Sequence, residues 1–258
     1  MIRSFTGRLL RRTGAPPLPG PDTPLVAVGD IHGCDDRLGE LLELIGAWLD
    51  AETRLVFLGD VVDRGPDSRA VIDRLMALAG AQPDRVEVLT GNHERMMLDF
   101  LAGEDPGGRW LANGGVQTLQ SFGLEVPPAE GLAPGALEDL RTAARRAVGT
   151  ARTGWLGARP LYVLSGDVVL VHAAWETRRS AERQDPAQLI WGSREFYRHR
   201  RSAPPWVVHG HVITRPARIE GTRIAIDSGA YLGGGLTAVR LVPGREPEFR
   251  TAGAPDPA

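Results

Sequence analysis

The sequence feature that most constrains the fold is a charged loop at the end of a short apolar run. Residues 54–58 (RLVFL) are typical of a buried strand, and residues 59–65 (GDVVDRG) follow them directly. Open α/β sheets bind ligands beyond the carboxyl ends of their strands, so we expect Asp60, Asp63 and Arg64 at such an edge. Two carboxylates at this spacing suit a metal ligand and an orienting partner, and a guanidinium suits a phosphate. Taken alone, the segment could also be a solvated turn.

Two further units repeat this order of strand, polar loop and helix. Residues 25–28 (LVAV) lead into GDIHG at 29–33, and residues 86–89 (VEVL) lead into GNHE at 91–94. Three such units in succession are typical of a largely parallel sheet, whose strands end at one edge. Carboxylate, imidazole and amide groups without a thiolate exclude a cysteine-type structural zinc site and favour Mn²⁺, Fe or Zn²⁺.

The histidines follow the same pattern. Five of the six come after apolar, strand-like runs, whereas His199 lies in a basic run and is expected on the surface. Singly, each of the five is more simply interpreted as a structural histidine than as a ligand. Together with the acids they exceed the needs of one ion, so we expect two ions about 3.5–4 Å apart that share a carboxylate. The five are His32, His93, His172, His209 and His211.

Composition excludes several classes of protein. The chain has 258 residues and a net charge of −2, which does not favour a nucleic-acid-binding protein. No apolar run approaches the roughly 20 residues of a membrane helix. A single cysteine, Cys34, forbids an intrachain disulfide, so we expect a reducing, cytoplasmic location. All 30 basic residues are arginine, which makes each individual arginine weak evidence of function, and the oligomeric state cannot be predicted.

The order of patterns divides the chain into a main domain and peripheral segments. We expect a basic, flexible extension over 1–22, a main domain over 23–242 and a loose tail over 243–258. Clusters of glycine and proline mark an inserted helical cap over 103–157, for which the sequence indicates no chemistry. The strands predicted at 224–226 and 236–239 are expected to close a second sheet.

The three loop motifs, in this order and spacing, resemble those of the calcineurin-like metallophosphoesterases. Within that family, GDIHG, GDVVDRG and GNHE are most similar to the bacterial and phage members of the phosphoprotein phosphatase branch. The resemblance extends from Leu25 to Leu241 and omits the cap. It implies an α/β fold, a four-layer α/β/β/α sandwich of two mixed sheets with a helical cap insertion.

The resemblance also implies a role for each motif residue. Asp30 and His32 would bind one ion, and Asp60 would bridge both. His93 would act as general acid, oriented by Asp63. The second ion would be completed by Asn92, His172 and His211. Substrate phosphate would contact Arg64, Asn92 and Arg194, the last within WGSRE at 191–195. Mn²⁺ is the first choice of ion, with Fe or Zn²⁺ as alternatives, and His209 is either a further ligand or a neighbour of the ligands.

The activity expected from this resemblance is a serine/threonine-type phosphoprotein phosphatase. A hydroxide that bridges the two divalent ions would attack the phosphomonoester directly. The substrate would be a phosphorylated protein or a small phosphoester, with no nucleic-acid or membrane partner. The main alternative is a symmetrical bis(5'-nucleosyl)-tetraphosphatase, disfavoured by Glu94 and Asp63 because those enzymes tend towards GNHD and lack the acid before Arg-Gly. A catalytically inactive phosphate-binding protein is the third interpretation.

Overall fold

The computed structural model of the protein describes residues 16–126 and 134–253. Parts of the predicted extension (1–15), cap (127–133) and tail (254–258) therefore lie outside the described residues. The strands are β1 (Leu25–Val28), β2 (Arg54–Phe57), β3 (Val86–Val88), β4 (Tyr162–Ser165), β5 (Val168–Val171), β6 (Trp206–His209), β7 (Arg218–Glu220), β8 (Arg223–Ala225), β9 (Leu236–Leu241) and β10 (Glu248–Ala252).

A helix follows each of the first three strands, as the sequence predicts. The helices are α1 (Asp35–Ile45), α2 (Ser68–Ala81), α3 (Asn92–Ala102), α4 (Gly108–Trp110), α5 (Val116–Ser121), α6 (Pro134–Val148), α7 (Thr150–Gly157), α8 (Pro186–Trp191) and α9 (Arg194–Arg198). A π-helical turn at Leu111–Gly115 joins α4 to α5, and Gly114 in it has a φ of 110°.

The strands form two mixed five-stranded sheets within the described part of the chain. The first has the order β10-β9-β1-β2-β3, in which β1, β2 and β3 are parallel. The second has the order β4-β5-β6-β8-β7, in which β5, β6 and β8 are parallel. The carboxyl ends of the parallel strands are the positions from which the site loops leave.

Three hydrophobic clusters separate four layers. Along β1, Leu25 and Ala27 face the second sheet, whereas Val26 and Val28 face the helices of the first. This is why β1 is apolar throughout instead of alternating. A third cluster packs α8 and α9 on the outer face of the second sheet. The predicted four-layer α/β/β/α sandwich is confirmed.

Two predictions about the last strands are wrong. Residues 236–239 belong to the first sheet, where β9 pairs antiparallel with β1, and not to the second. The expected loose tail contains β10, whose residues pair with β9 although three of the five are polar or charged. As an edge strand, β10 needs only one apolar face, so composition concealed it.

The described end of the predicted flexible extension packs on the second sheet. The N–H of Gly20 donates to Asp167 at 2.7 Å, and the N–H of Asp22 donates to Ser165 at 2.9 Å. Trp206, in β6, donates its indole N–H to the carbonyl of Pro17 at 3.1 Å. Residues 16–22 are therefore held on the sandwich. Within the described residues, no helix is long and apolar enough to cross a membrane.

The core of the first layer gives a stability prediction. Phe57 is fully buried between β2 and the helices, so Phe57→Ala should lower the free energy of unfolding by about 3–5 kcal/mol, through lost burial and a residual cavity. Phe249→Ala, on the half-buried face of the edge strand β10, is the matched control and should cost less. Urea unfolding monitored by circular dichroism measures both, and equal losses would contradict this account of the core.

Candidate active site

The site lies where the carboxyl ends of parallel strands from both sheets meet. Asp30 and His32 follow β1, the second motif follows β2, and the third begins α3 after β3. The second sheet adds residues that follow β5 and β6. Strand order thus gathers motifs that are more than 100 residues apart in sequence. The residues delivered in this way are Asp30, His32, Asp60, Asp63, Arg64, Asn92, His93, His172 and His211.

The loops that carry these side chains have a strained backbone. Within the described residues, the non-glycine residues with positive φ are all site residues, with φ between 49° and 73°. Each such conformation costs of order 1–3 kcal/mol and persists only where surrounding contacts enforce it. The strain therefore coincides with the candidate site. The residues are His32, Asp60, Asp63, Arg64 and His211.

One carboxylate oxygen forms the centre of the site. Oδ2 of Asp60 lies 3.5 Å from Nε2 of His172, 3.6 Å from Nε2 of His32 and 3.9 Å from Nε2 of His93. Burial opposes ionisation of Asp60, but the three imidazoles outweigh it and hold the pKa of this carboxyl below its usual value. Two groups of metal-ligating side chains share Asp60: one includes His32 and His93, the other His172 and His211.

The imidazoles are fixed in the orientation that a metal ligand needs. Nδ1 of His32 lies 2.9 Å from the carbonyl oxygen of Val62, and Nδ1 of His172 lies 3.0 Å from that of Leu58. Each Nδ1–H can therefore donate to a carbonyl, which leaves the lone pair of Nε2 directed at Asp60. Burial lowers the pKa of His32 to about 3 and that of His172 to about 4, so both rings are neutral at pH 7.

The second group has the spacing of a coordination sphere. Nε2 of His172 lies 3.1 Å from Oδ1 of Asn92 and 3.2 Å from Nδ1 of His211. Two donors that each lie about 2.0–2.2 Å from one ion are about 3–3.5 Å apart. Burial also lowers the pKa of His211. The donors therefore fit a divalent cation of the Mn²⁺, Fe or Zn²⁺ type.

Asp30 is buried beside these groups but is not a member of either. Its Oδ2 accepts the N–H of His211 at 3.0 Å. Burial and the nearby carboxylates of Asp227 and Asp60 raise the pKa of Asp30 well above its usual value. Such repulsion among buried acids is what bound cations relieve, which is a further sign that the residues fit metal ions.

Asp227 is a site residue that the sequence analysis missed. It is buried, it lines the same pocket as Asp60 and His32, and burial raises the pKa of its carboxyl to about 6. The signal was present, because the predicted strand at 224–226 ends directly before this acid, as other strands do before theirs.

His93 differs from the other imidazoles of the site in its partner and in the direction of its pKa shift. Nδ1 of His93 lies 2.7 Å from Oδ2 of Asp63. Although burial lowers the pKa of His93, the charge of Asp60 and the hydrogen bond with Asp63 raise it more, so the net shift is upward. A ring held by a carboxylate and biased towards the imidazolium can donate a proton, whereas a neutral ring suits a metal.

The inserted segment completes the surroundings of Asp63. The indole N–H of Trp110 lies 3.0 Å from both carboxylate oxygens of Asp63, and the hydroxyl of Thr118 donates to Oδ1 at 2.6 Å. Both donors are buried. The sequence indicates no chemistry for the cap over 103–157, but in the structure this segment holds the carboxylate that lies next to His93.

Glu94 joins the second and third motifs. Its carboxylate accepts the N–H groups of Asp60, Val61 and Gly91, each at 2.8 Å, and that of Val62 at 3.3 Å. Burial and the charge of Asp60 raise the pKa of Glu94 to about 7. Glu94 therefore holds the two loops together, and it also caps the first turn of α3.

A pocket of about 240 Å³ opens above the two metal-ligand groups. Arg64 projects into it and is held there by the hydroxyl of Tyr231 at 3.0 Å and by Oδ1 of Asn113 at 3.3 Å. Arg109 of the insertion also lines this pocket. Arg194, which the sequence analysis expected to contact phosphate, is exposed at the first turn of α9 and is not among the lining residues.

His209 is buried beside the site rather than in it. Its Nδ1 lies 2.9 Å from the carbonyl oxygen of Gly210, and its ring contacts those of Phe196 and Tyr197. Its Nε2 has no hydrogen-bond partner among the described residues. His209 is absent from both metal-ligand groups, which favours the interpretation as a neighbour of the ligands. His199 is exposed, as expected.

The shared carboxylate gives a test of the two groups. Asp60→Asn should weaken the binding of both ions by at least the roughly 10–100-fold that loss of an outer partner costs, because one charged donor serves both groups. Metal content after equilibrium dialysis against Mn²⁺ measures the effect. Asp35→Asn, which removes a surface partner of Arg74, is the control and should bind as the parent does. Two ions bound at parental affinity by Asp60→Asn would exclude the shared ligand.

Relatives of this chain carry nucleotide-related names. The asymmetrical bis(5'-nucleosyl)-tetraphosphatase of Geobacillus thermodenitrificans (strain NG80-2) is 28% identical over 251 residues, which cover 88% of this chain and 92% of the relative. The symmetrical bis(5'-nucleosyl)-tetraphosphatase of Legionella pneumophila (strain Corby) is 42% identical over 83 residues, which cover 32% of this chain and 28% of the relative.

Solved structures share the fold over nearly the whole chain. One described as a candidate diadenosine tetraphosphatase has a TM-score of 0.60 at 21% identity and covers 93% of this chain and 98% of its own. A cold-active protein-tyrosine phosphatase from a psychrophilic Shewanella species has a TM-score of 0.56 at 16% identity, with coverages of 90% and 83%. At these identities the likeness concerns the fold alone. The family model of calcineurin-like phosphoesterases matches residues 23–235, which include every motif of the site, and the chain therefore belongs to that family.

Proposed function

We propose that this metallophosphoesterase hydrolyses bis(5'-nucleosyl) tetraphosphates. Hydrolysis of phosphoesters is supported by the two groups of potential metal ligands, which share Asp60 and lie beside the Arg64 guanidinium. The choice of substrate is supported by the relative named as a tetraphosphatase, which aligns along 88% of the chain. That relative is asymmetrical and the symmetrical one aligns along only 32%, so we propose asymmetrical cleavage.

The two groups of donors would hold two divalent ions, and we propose Mn²⁺. His32 would bind one ion, and Asp60 would bind both. Asn92, His172 and His211 would bind the other ion. Asp30, held against the backbone of His211, would turn towards the first ion. When bound, such ions lower the pKa of a coordinated water and neutralise charge on phosphate oxygens.

The protein's own groups supply orientation and a proton. The Arg64 guanidinium, fixed by Tyr231 and Asn113, binds a phosphate oxygen as charge develops on it. Water gives up one proton to the solvent and forms the new P–O bond, while the bond from phosphorus to the departing oxygen breaks. His93, as imidazolium held by Asp63, gives its proton to that oxygen. Trp110 and Thr118 keep Asp63 in place for this step.

Phosphoprotein hydrolysis is the second candidate, because the motifs resemble those of the protein phosphatases. The relatives reported above carry tetraphosphatase names instead, and a protein phosphatase is similar only in fold. The deciding experiment compares Mn²⁺-loaded protein on diadenosine tetraphosphate and on a phosphoserine peptide, with chromatography of the nucleotides. ATP plus AMP as faster-formed products supports the proposal. Formation of two ADP molecules would show symmetrical cleavage instead of asymmetrical cleavage. Faster dephosphorylation of the peptide would overturn the proposal.

The proton donor gives a second prediction. His93→Asn should reduce turnover by about 10²–10⁴-fold on phenyl phosphate, whose leaving group needs protonation, and by less on p-nitrophenyl phosphate. Metal content should stay at the parental value, because Asp63 and not an ion is the close partner of His93. His199→Asn, an exposed histidine, is the matched control. Loss of metal in His93→Asn would reassign His93 as a ligand, which the grouping of His93 with Asp60 and His32 makes a real alternative.

A further inference from the structure

The pocket contains a second arginine that the motifs do not explain. The guanidinium carbon of Arg109 lies 3.9 Å from the ring centroid of Trp191, and both residues line the pocket that holds Arg64 and His93. Arg109 comes from the insertion and Trp191 from the end of α8, so the contact closes the pocket from two separate elements.

Arg109 is held in position but lacks an acidic partner. Stacking on an indole attracts a guanidinium to the face of the ring and orients its plane. The carbonyl oxygen of Arg109 accepts from Nδ2 of Asn113 at 2.8 Å, and Oδ1 of Asn113 accepts from Arg64. Among residues 16–126 and 134–253, no carboxylate pairs with Arg109. Asn113 thus links two guanidinium-bearing segments on one wall of the pocket.

The size of the pocket indicates which part of a substrate it can enclose. Sites that enclose whole small molecules have volumes of about 300–1,000 Å³, larger than the 240 Å³ found here. The enclosed space suits a chain of phosphates better than a complete dinucleoside. Arg109 adds a second guanidinium to the pocket that holds Arg64, and a guanidinium without a carboxylate partner among the described residues can pair with a phosphate other than the one beside the ions.

We propose that Arg109, oriented by Trp191, binds a phosphate beyond the one that is attacked and thereby selects polyphosphate substrates over monoesters. The inference rests on the proposed function, which it deepens by assigning the residue that distinguishes the two substrate classes. It replaces Arg194, the residue that the sequence resemblance implies, because Arg109 lines the pocket and Arg194 does not.

The first experiment compares single variants on two substrates. Arg109→Gln should lower kcat/KM for diadenosine tetraphosphate by about 10–100-fold, mainly through KM, because a charge-assisted hydrogen bond to the bound substrate is lost. The loss on p-nitrophenyl phosphate should be at least about tenfold smaller. Trp191→Leu, which removes the stacking surface, should produce the same selective loss to a lesser degree. Arg146→Gln, an exposed arginine of α6 outside the pocket, is the matched control.

Two results would overturn the assignment. One is equal loss on both substrates in Arg109→Gln, which would make the residue a general structural element. The other is selective loss in Arg194→Gln with none in Arg109→Gln, which would restore the residue implied by the resemblance.

A binding measurement separates this inference from the proposed function. Calorimetric titration of Mn²⁺-loaded protein with tripolyphosphate and with orthophosphate requires no turnover. We expect Arg109→Gln to lose affinity for tripolyphosphate only, and Arg146→Gln, measured in the same metal buffer, corrects for chelation of Mn²⁺. If the parent cleaves no dinucleotide but Arg109→Gln still loses tripolyphosphate selectively, the proposed function fails and the inference stands. Unchanged tripolyphosphate affinity in Arg109→Gln overturns the inference whatever the substrate.

Discussion

The hydrogen bonds of the Glu94 carboxylate are the interaction on which the rest of the site depends. They satisfy the backbone N–H groups of Asp60, Val61 and Gly91 at the point where two loops leave adjacent strands. A buried N–H without an acceptor costs about 1–3 kcal/mol, so these bonds offset the strain of the left-handed backbone at Asp60. Gly91 has no Cβ because one there would collide with Asp60. The shared ligand is thus positioned by the backbone around it before any ion binds.

The insertion is part of the chemistry as well as a cover. Gly114 packs against the backbone nitrogen of Arg64 and the Cβ of Asp63 with a φ of 110°, a combination open only to glycine. That close approach brings Trp110 to the carboxylate of Asp63 and Asn113 to the guanidinium of Arg64. The same short segment therefore contacts both the partner of His93 and the guanidinium of Arg64. Under the proposed function, a change in this segment should affect rate and substrate choice together.

The parts of the site that the sequence predicts are those encoded locally. Asp60 and its fellow motif residues stand directly after apolar runs, so strand order alone brings them to one edge. Trp110 and Asn113 could not be predicted, because their contacts with the second motif cross about 50 residues through an insertion with no comparable pattern. Arg194 was expected in the pocket from its motif context. In a chain whose basic residues are all arginine, only geometry could show that Arg109 is there instead.

Acidic and basic side chains occupy different parts of the site. The base of the site contains buried acids that repel one another, so that a bound cation would stabilise them. They include Asp30, Asp60 and Asp227. Arg64 and Arg109 lie on the wall above, without carboxylate partners among the described residues. If the base holds two divalent ions, as we propose, a chain of several phosphates would contact both the ions and the guanidinium groups on the wall.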